Sequence, residues 1–166
     1  MSHVVMGVDP GFSVTGFSIV CAEGSRVRLY ECGGFTMSRS LTLAQRIGLF
    51  HNFFNDKIGY YHVNVVALET PFLGKNAQNF LKLGYLRGML YYLHNLHGTE
   101  LCEFSPREVK QAITGYGAAD KEQVARLIMR LFPDLTTPRT YDVTDAIAVS
   151  LCGLWRRPAQ RLAGGL

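Results

Sequence analysis

The sequence predicts an α/β fold: a mixed five-stranded sheet, antiparallel over its first three strands, with helices on both faces. Three observations carry this. Three strand-like segments, at 3–9, 13–22 and 26–37, follow one another through short turns, as an antiparallel meander does. The hydrophobic period then switches to helical and alternates with short apolar runs, giving helix 41–58, strand 63–69, helix 77–96 and strand 100–104. Three helical segments close the chain, and a meander followed by alternating strands and helices packs as layers around one sheet.

The first strand, His3 to Asp9, is apolar and ends at a Pro10-Gly11 turn, and its hairpin partner runs from Ser13 to Ala22. Glu23-Gly24-Ser25 leads into the third strand, Arg26 to Met37. Leu43, Ile47, Phe50, Phe54 and Ile58 recur at helical spacing. "VNVVALE" from Val63 is a fully apolar strand ending in a lone carboxylate. Ser105 caps the helix that starts at Pro106, with Glu108 three residues after the cap, and Gly115 and Gly117 end it. Asp120 caps Lys121 to Leu131, with Gln123 at the matching position. Pro133 to Thr140 reads as a loop and Asp142 to Trp155 as the last helix. One domain over residues 1–157 accounts for this pattern, with 158–166 expected to fray.

Of the 166 residues, 48% are hydrophobic and 18% charged, which excludes a disordered chain. The net charge of +4 is compatible with a polyanionic partner and equally with an ordinary, slightly basic protein. Cys21, Cys32, Cys102 and Cys152 are scattered, with no C-x-x-C pair, which points to reduced thiols and away from a disulfide frame or zinc site. No apolar run reaches the roughly 20 residues of a membrane span, and no basic-then-apolar leader opens the sequence, so a cytoplasmic protein without membrane association is expected.

The acids carry the chemistry. Asp9 ends the first strand and Glu69 the fourth, while Asp142 and Asp145 stand three apart on one face of the last helix. If strands one and four run parallel as neighbours, Asp9 and Glu69 sit side by side and the last helix can lay its acids against them. Carboxylates so crowded raise one another's pKa. Hard divalent cations such as Mg²⁺ resolve the repulsion, and two ions roughly 4 Å apart activate water and stabilise the leaving oxygen in phosphodiester cleavage. Taken singly, Asp9 also suits a turn before Pro-Gly, and Asp142 suits a helix cap.

"GVDPGFSVTGFSIV", "ALETPFLGKNAQNFLKLGYLRG", "FSPREVKQAITGYGAADKEQV" and "DVTDAIAVSL" together resemble the RuvC-type Holliday-junction resolvases, crossover junction endodeoxyribonucleases of the ribonuclease H-like superfamily, over residues 4–155. The resemblance implies a Mg²⁺-dependent endonuclease that resolves four-way junction DNA by paired symmetric cleavage in recombination and repair. It implies two Mg²⁺ ions, with Mn²⁺ as substitute, held by Asp9, Glu69, Asp142 and Asp145, and lysines supporting cleavage or DNA binding at Lys110 and Lys121. Phe72 matches an aromatic inserted among bases near the junction centre. The "LKLGYLRG" helix matches one that forms a homodimer, and a RuvA–RuvB branch-migration complex is the implied partner. Phe12 departs from the usual small polar residue, Thr70 stands where many relatives carry Gln, and 40–64 matches weakly and is unusually aromatic.

Lys75, Lys82, Arg87, Arg107, Lys110 and Lys121 follow Glu69 and would grip phosphates around an acidic cleft. Phe72 suits stacking on an unpaired base and equally core packing. Gly84 and Gly88, one helical turn apart, suit either a two-fold dimer contact or packing on the subunit's own sheet. His94 and His97 share a helix face but have no third ligand nearby in sequence. Three other functions compete. Actin-like nucleotide binding would need a second domain. A relative acting on structured RNA shares the fold. A junction binder without cleavage is disfavoured by the four intact acids.

Overall fold

The computed structural model describes residues 3–70, 77–136 and 140–156. Its elements run β1 (His3–Asp9), β2 (Val14–Glu23), β3 (Arg26–Thr36), α1 (Leu43–Tyr60), β4 (Val65–Glu69), α2 (Ala77–His97), β5 (Glu100–Phe104), α3 (Pro106–Thr114), α4 (Lys121–Leu131) and α5 (Tyr141–Trp155). The five-stranded sheet has the order β3-β2-β1-β4-β5. Strands β1, β2 and β3 pair antiparallel, while β4 runs parallel to both β1 and β5. The expected mixed sheet, its antiparallel start and the parallel β1/β4 pair are all present.

Alternation along the central strands sorts the core into two layers. Val4, Met6 and Val8 of β1 with Val66 and Leu68 of β4 face α1 and α2, where Phe50, Phe54, Leu86, Leu90 and Leu93 are buried. Val5, Val65 and Ala67 face α3, α4 and α5, packing with Val109, Val124, Ile128, Ile147 and Leu151. Both strand faces are covered, so β1 and β4 read as continuous apolar runs and not as alternating ones. The aromatic segment after residue 40 belongs to the first layer: the Phe35 and Phe53 rings stack at 4.3 Å, and Phe50 and Phe54 lie 4.4 Å apart.

Helix starts follow their caps. Thr42/Gln45, Ser105/Glu108 and Asp120/Gln123 each form a reciprocal capping box. Gly115 ends α3 with φ 76°, a left-handed conformation that glycine adopts without a Cβ penalty. Helix α1 therefore begins after Thr42, two residues later than its hydrophobic period suggests. Thr140, and not Asp142, is the N-cap of α5, so Asp142 lies in the first turn and the capping alternative for it does not hold.

Helix α5 rests on the sheet at residues without side chains. A Cβ on Gly7 would fall 2.2 Å from the Ala146 carbonyl oxygen, and one on Gly16 would fall 1.9 Å from the Asp142 carbonyl oxygen. Ser18 Oγ lies 3.0 Å from both the Ala146 carbonyl and Ser150 Oγ, fixing the same contact with polar groups. All four cysteines are free. Among the described residues, no helix is long and apolar enough to cross a membrane. The tail from 158 lies outside the described residues.

Candidate active site

Strand parity brings the acids together. Asp9 shares a face with Val5 and Gly7, and Glu69 with Val65 and Ala67, because side chains alternate along a strand. The β1/β4 register, Val5↔Val65 and Gly7↔Ala67, carries Asp9 and Glu69 to the carboxyl ends of neighbouring parallel strands on the face that α5 covers. Gly16, the register partner of Asp9 on β2, is where α5 approaches most closely, through the backbone of Asp142. Asp145, one turn along, is turned to the same place.

Asp9, Glu69 and Asp145 each feel neighbouring acids. Burial, followed by Glu69, Asp145 and Asp142, pushes Asp9 up from 3.8 to about 7, while Lys121 pulls it down. Burial and then Asp145 raise Glu69, opposed by Lys121 and Lys110. Burial also raises Asp145, opposed chiefly by its hydrogen bond from Lys121 and the charge of that lysine. Lys121 Nζ donates to Asp145 Oδ2 at 2.9 Å, and this bond leads the causes that raise the lysine. Both lysines are aimed by the caps: Lys121 is the first residue of α4 after its capping box, and Lys110 lies one turn into α3 after the Ser105/Glu108 box.

Among the described residues, no three His, Cys, Asp or Glu side chains converge tightly enough to hold one ion. The acids form a shared cleft and not a closed cage, and Asp145 is engaged with Lys121. The donor set nonetheless fits a hard cation. Four carboxyl groups would offer oxygen ligands, and burial together with their mutual repulsion is the cost that a divalent ion would offset.

Other expectations separate. Phe72 and Lys75 lie outside the described residues. Lys82 sits on α2 with Nζ 5.3 Å from the Phe12 ring, which the Arg46 guanidinium also approaches, at 4.6 Å. Arg46, which sequence reasoning missed, is buried and donates to the Phe12 carbonyl at 3.1 Å, holding the loop that follows Asp9. The signal was its place in an otherwise apolar helix face. Pro10, Phe12, Arg39, Arg46 and Lys82 border a cavity of about 570 Å³ beside that loop. Arg107 is exposed on α3, packed against Gly117.

Arg87 is corrected. It is 8% exposed, donates Nη1 to the Glu69 carbonyl at 2.6 Å and pairs through Nη2 with Glu103. Its guanidinium is turned into the protein towards these two acceptors, so it is not placed as a phosphate contact. Gly84 and Gly88 are exposed, and a Cβ at either would meet nothing within 4 Å, so packing on the subunit's own sheet is not their role. His97 Nε2 lies 2.9 Å from Asn55 Oδ1 and His94 Nδ1 3.5 Å from Thr99 Oγ1, so the two histidines serve separate contacts.

A meander, a parallel pair ending in two acids and a covering helix that adds two more define the ribonuclease H-like fold class. The profile of the family "Crossover junction endodeoxyribonuclease RuvC" matches residues 5–153, and the chain belongs to that family. The RuvC proteins of Pelodictyon phaeoclathratiforme and Chlorobium phaeobacteroides are each 42% identical to it, over 92% and 98% of this chain and 80% and 89% of theirs. Among solved structures, Thermus thermophilus RuvC in complex with a Holliday junction substrate is similar at TM-score 0.83 and 27% identity, covering 90% of this chain and 91% of that one. The yeast mitochondrial resolvase Ydc2, at 13% identity and TM-score 0.63, covers 88% of this chain and 75% of its own and shares the fold.

Proposed function

We propose that this protein is a divalent-metal-dependent endonuclease that resolves Holliday junctions by paired, symmetric cuts in two equivalent strands. The observation that carries the reading is the convergence of Asp9, Glu69, Asp142 and Asp145 from three elements onto one face, where burial and mutual repulsion raise Asp9 to about 7. These four would hold Mg²⁺, two ions in the fullest form of the site, with Mn²⁺ able to replace it. When bound, such ions supply charge neutralisation at the phosphate and activation of water for in-line attack.

The chain's own residues do the rest. Asp9 and Glu69 present oxygens from rigid strand ends, and α5 adds Asp142 and Asp145 from a helix fixed to the sheet at Gly7 and Gly16. Lys121, held at Asp145, and Lys110 face the same cleft and offset negative charge developing on the phosphate. Lys82 and Arg107 serve as phosphate contacts beside it, as does Lys75 downstream of Glu69, and Phe72 is assigned to the junction by the family pattern.

A two-fold dimer through α2 suits a substrate with two equivalent strands. Leu81, Tyr92 and Leu96 are 56%, 53% and 53% exposed and lie along one stripe of α2 with Tyr85, Gly84 and Gly88, a stripe of the kind that marks a contact surface. A RuvA–RuvB partnership and a cytoplasmic site of action belong to the same proposal, supported by the family to which the chain belongs. The test compares immobile four-way junction with linear duplex, in EDTA and in Mg²⁺ or Mn²⁺. Metal-dependent nicks confined to the junction and lost in Asp9→Asn, Glu69→Gln and Asp145→Asn, with binding retained, are expected. Junction binding without nicks in any metal would leave a binding protein.

A further inference from the structure

We infer that Arg87 is a positioning residue for the acidic site: it fixes the backbone of Glu69 and so sets where that carboxylate stands. This inference rests on the metal-dependent reading above. Glu69 is the last residue of β4, and the β1/β4 register ends one residue earlier, at Val8↔Leu68. No residue of β1 therefore stands in register with Glu69. On the other side, Glu69 is opposite Phe104, and Thr70 N donates to the Phe104 carbonyl at 2.8 Å. The Glu69 carbonyl is taken by Arg87 Nη1 at 2.6 Å, while Nη2 pairs with Glu103 on β5.

The planar guanidinium thus spans β4 and β5 from α2, and its fork fits two acceptors at once in a way an ammonium does not. Strand ends fray where a terminal carbonyl has no acceptor role in the ladder, and here the carbonyl that Arg87 fills belongs to the residue carrying a site carboxylate. The Glu69 side chain projects to the α5 face, whereas Arg87 approaches from the α2 layer, so the arginine acts through the main chain and touches neither substrate nor ion. Partners that orient ligating carboxylates in this indirect way change metal affinity or activity by about 10- to 100-fold when removed.

Arg87→Met, Arg87→Lys and Glu103→Gln separate the possibilities in the full-length protein. Two readouts are used: the rise in melting temperature on titrating Mn²⁺, which needs no DNA, and kcat against KM on a four-way junction. Arg87→Met is expected to raise the half-saturating Mn²⁺ concentration and lower kcat by about tenfold or more, with KM within about twofold. Arg87→Lys, which keeps charge but not the fork, falls between. Glu103→Gln leaves the Glu69 bond intact and shifts the metal midpoint less than Arg87→Met. A purely structural role would lower the metal-free melting temperature and leave the metal midpoint and kcat unchanged, which overturns the inference. So would Glu103→Gln matching or exceeding the arginine variants. If Arg87→Met does not fold, Arg87→Lys against Glu103→Gln decides by the same criterion. Wild-type protein that shows the Mn²⁺ shift but cuts no junction would sink the function proposed above while leaving this inference to the metal titration.

Discussion

Replacing Asp9 with Asn should make the metal-free protein more stable while abolishing cleavage. In the folded chain Asp9 is held near 7 against 3.8 for an ordinary aspartate, first by burial and then by Glu69, Asp145 and Asp142. The folded state therefore binds a proton more tightly than the unfolded one. Stability linked to this group is fully present below about pH 4 and is lost as pH rises through about 7. The gap corresponds to an upper limit of roughly 4 kcal/mol at pH 8, at about 1.4 kcal/mol per pH unit. Neighbouring carboxyls share that cost, so about half of it, or ~4–8 °C in melting temperature for a domain of this size, is the expected gain. Melts of wild type and Asp9→Asn in EDTA at pH 4, 6 and 8 measure it. The variant should melt higher at pH 8, with the difference shrinking towards pH 4, and Mg²⁺ should raise wild type more than the variant. An Asp9→Asn protein that melts at or below wild type at pH 8 in EDTA would refute the claim that these acids repel one another in a buried cleft.

Three further outcomes follow from named contacts. Gly16→Ala puts a Cβ 1.9 Å from the Asp142 carbonyl oxygen, so α5 must lift; a loss of about 2 kcal/mol or more by urea denaturation, with cleavage falling in parallel, is expected. Lys121→Met removes the 2.9 Å bond to Asp145 and should lower kcat by at least about tenfold, with the junction dissociation constant changing far less. Lys82→Ala should lower the slope of log affinity against log salt by about 0.9, the mark of one lost phosphate contact, with no change in sequence preference.

Most of the fold was legible because apolar period and turn chemistry agree along the chain. Pro10-Gly11, Glu23-Gly24-Ser25 and the Ser105 and Asp120 boxes mark boundaries within a residue or two. The start of α1 was misread because Leu41 fits the helical period, whereas the Thr42/Gln45 box decides where backbone donors are satisfied. The convergence of the acids was legible from strand ends and i, i+3 spacing once β1 and β4 are neighbours. Gly7 and Gly16 were not, since a glycine in a strand carries no sign of which helix will press on it. Arg87 was misassigned for the opposite reason. Its charge suggested a phosphate, but only the tertiary structure shows two acceptors, the Glu69 carbonyl and Glu103, within reach.

Cleavage of a panel of end-labelled immobile four-way junctions with different core sequences, beside linear duplex and with Asp9→Asn in parallel, tests the central claim most directly. Paired nicks at symmetric positions in two opposing strands, dependent on Mg²⁺ or Mn²⁺ and absent from the variant, are the predicted result. Intact junctions across the whole panel in both metals, with a folded wild-type protein bound to them, would contradict it.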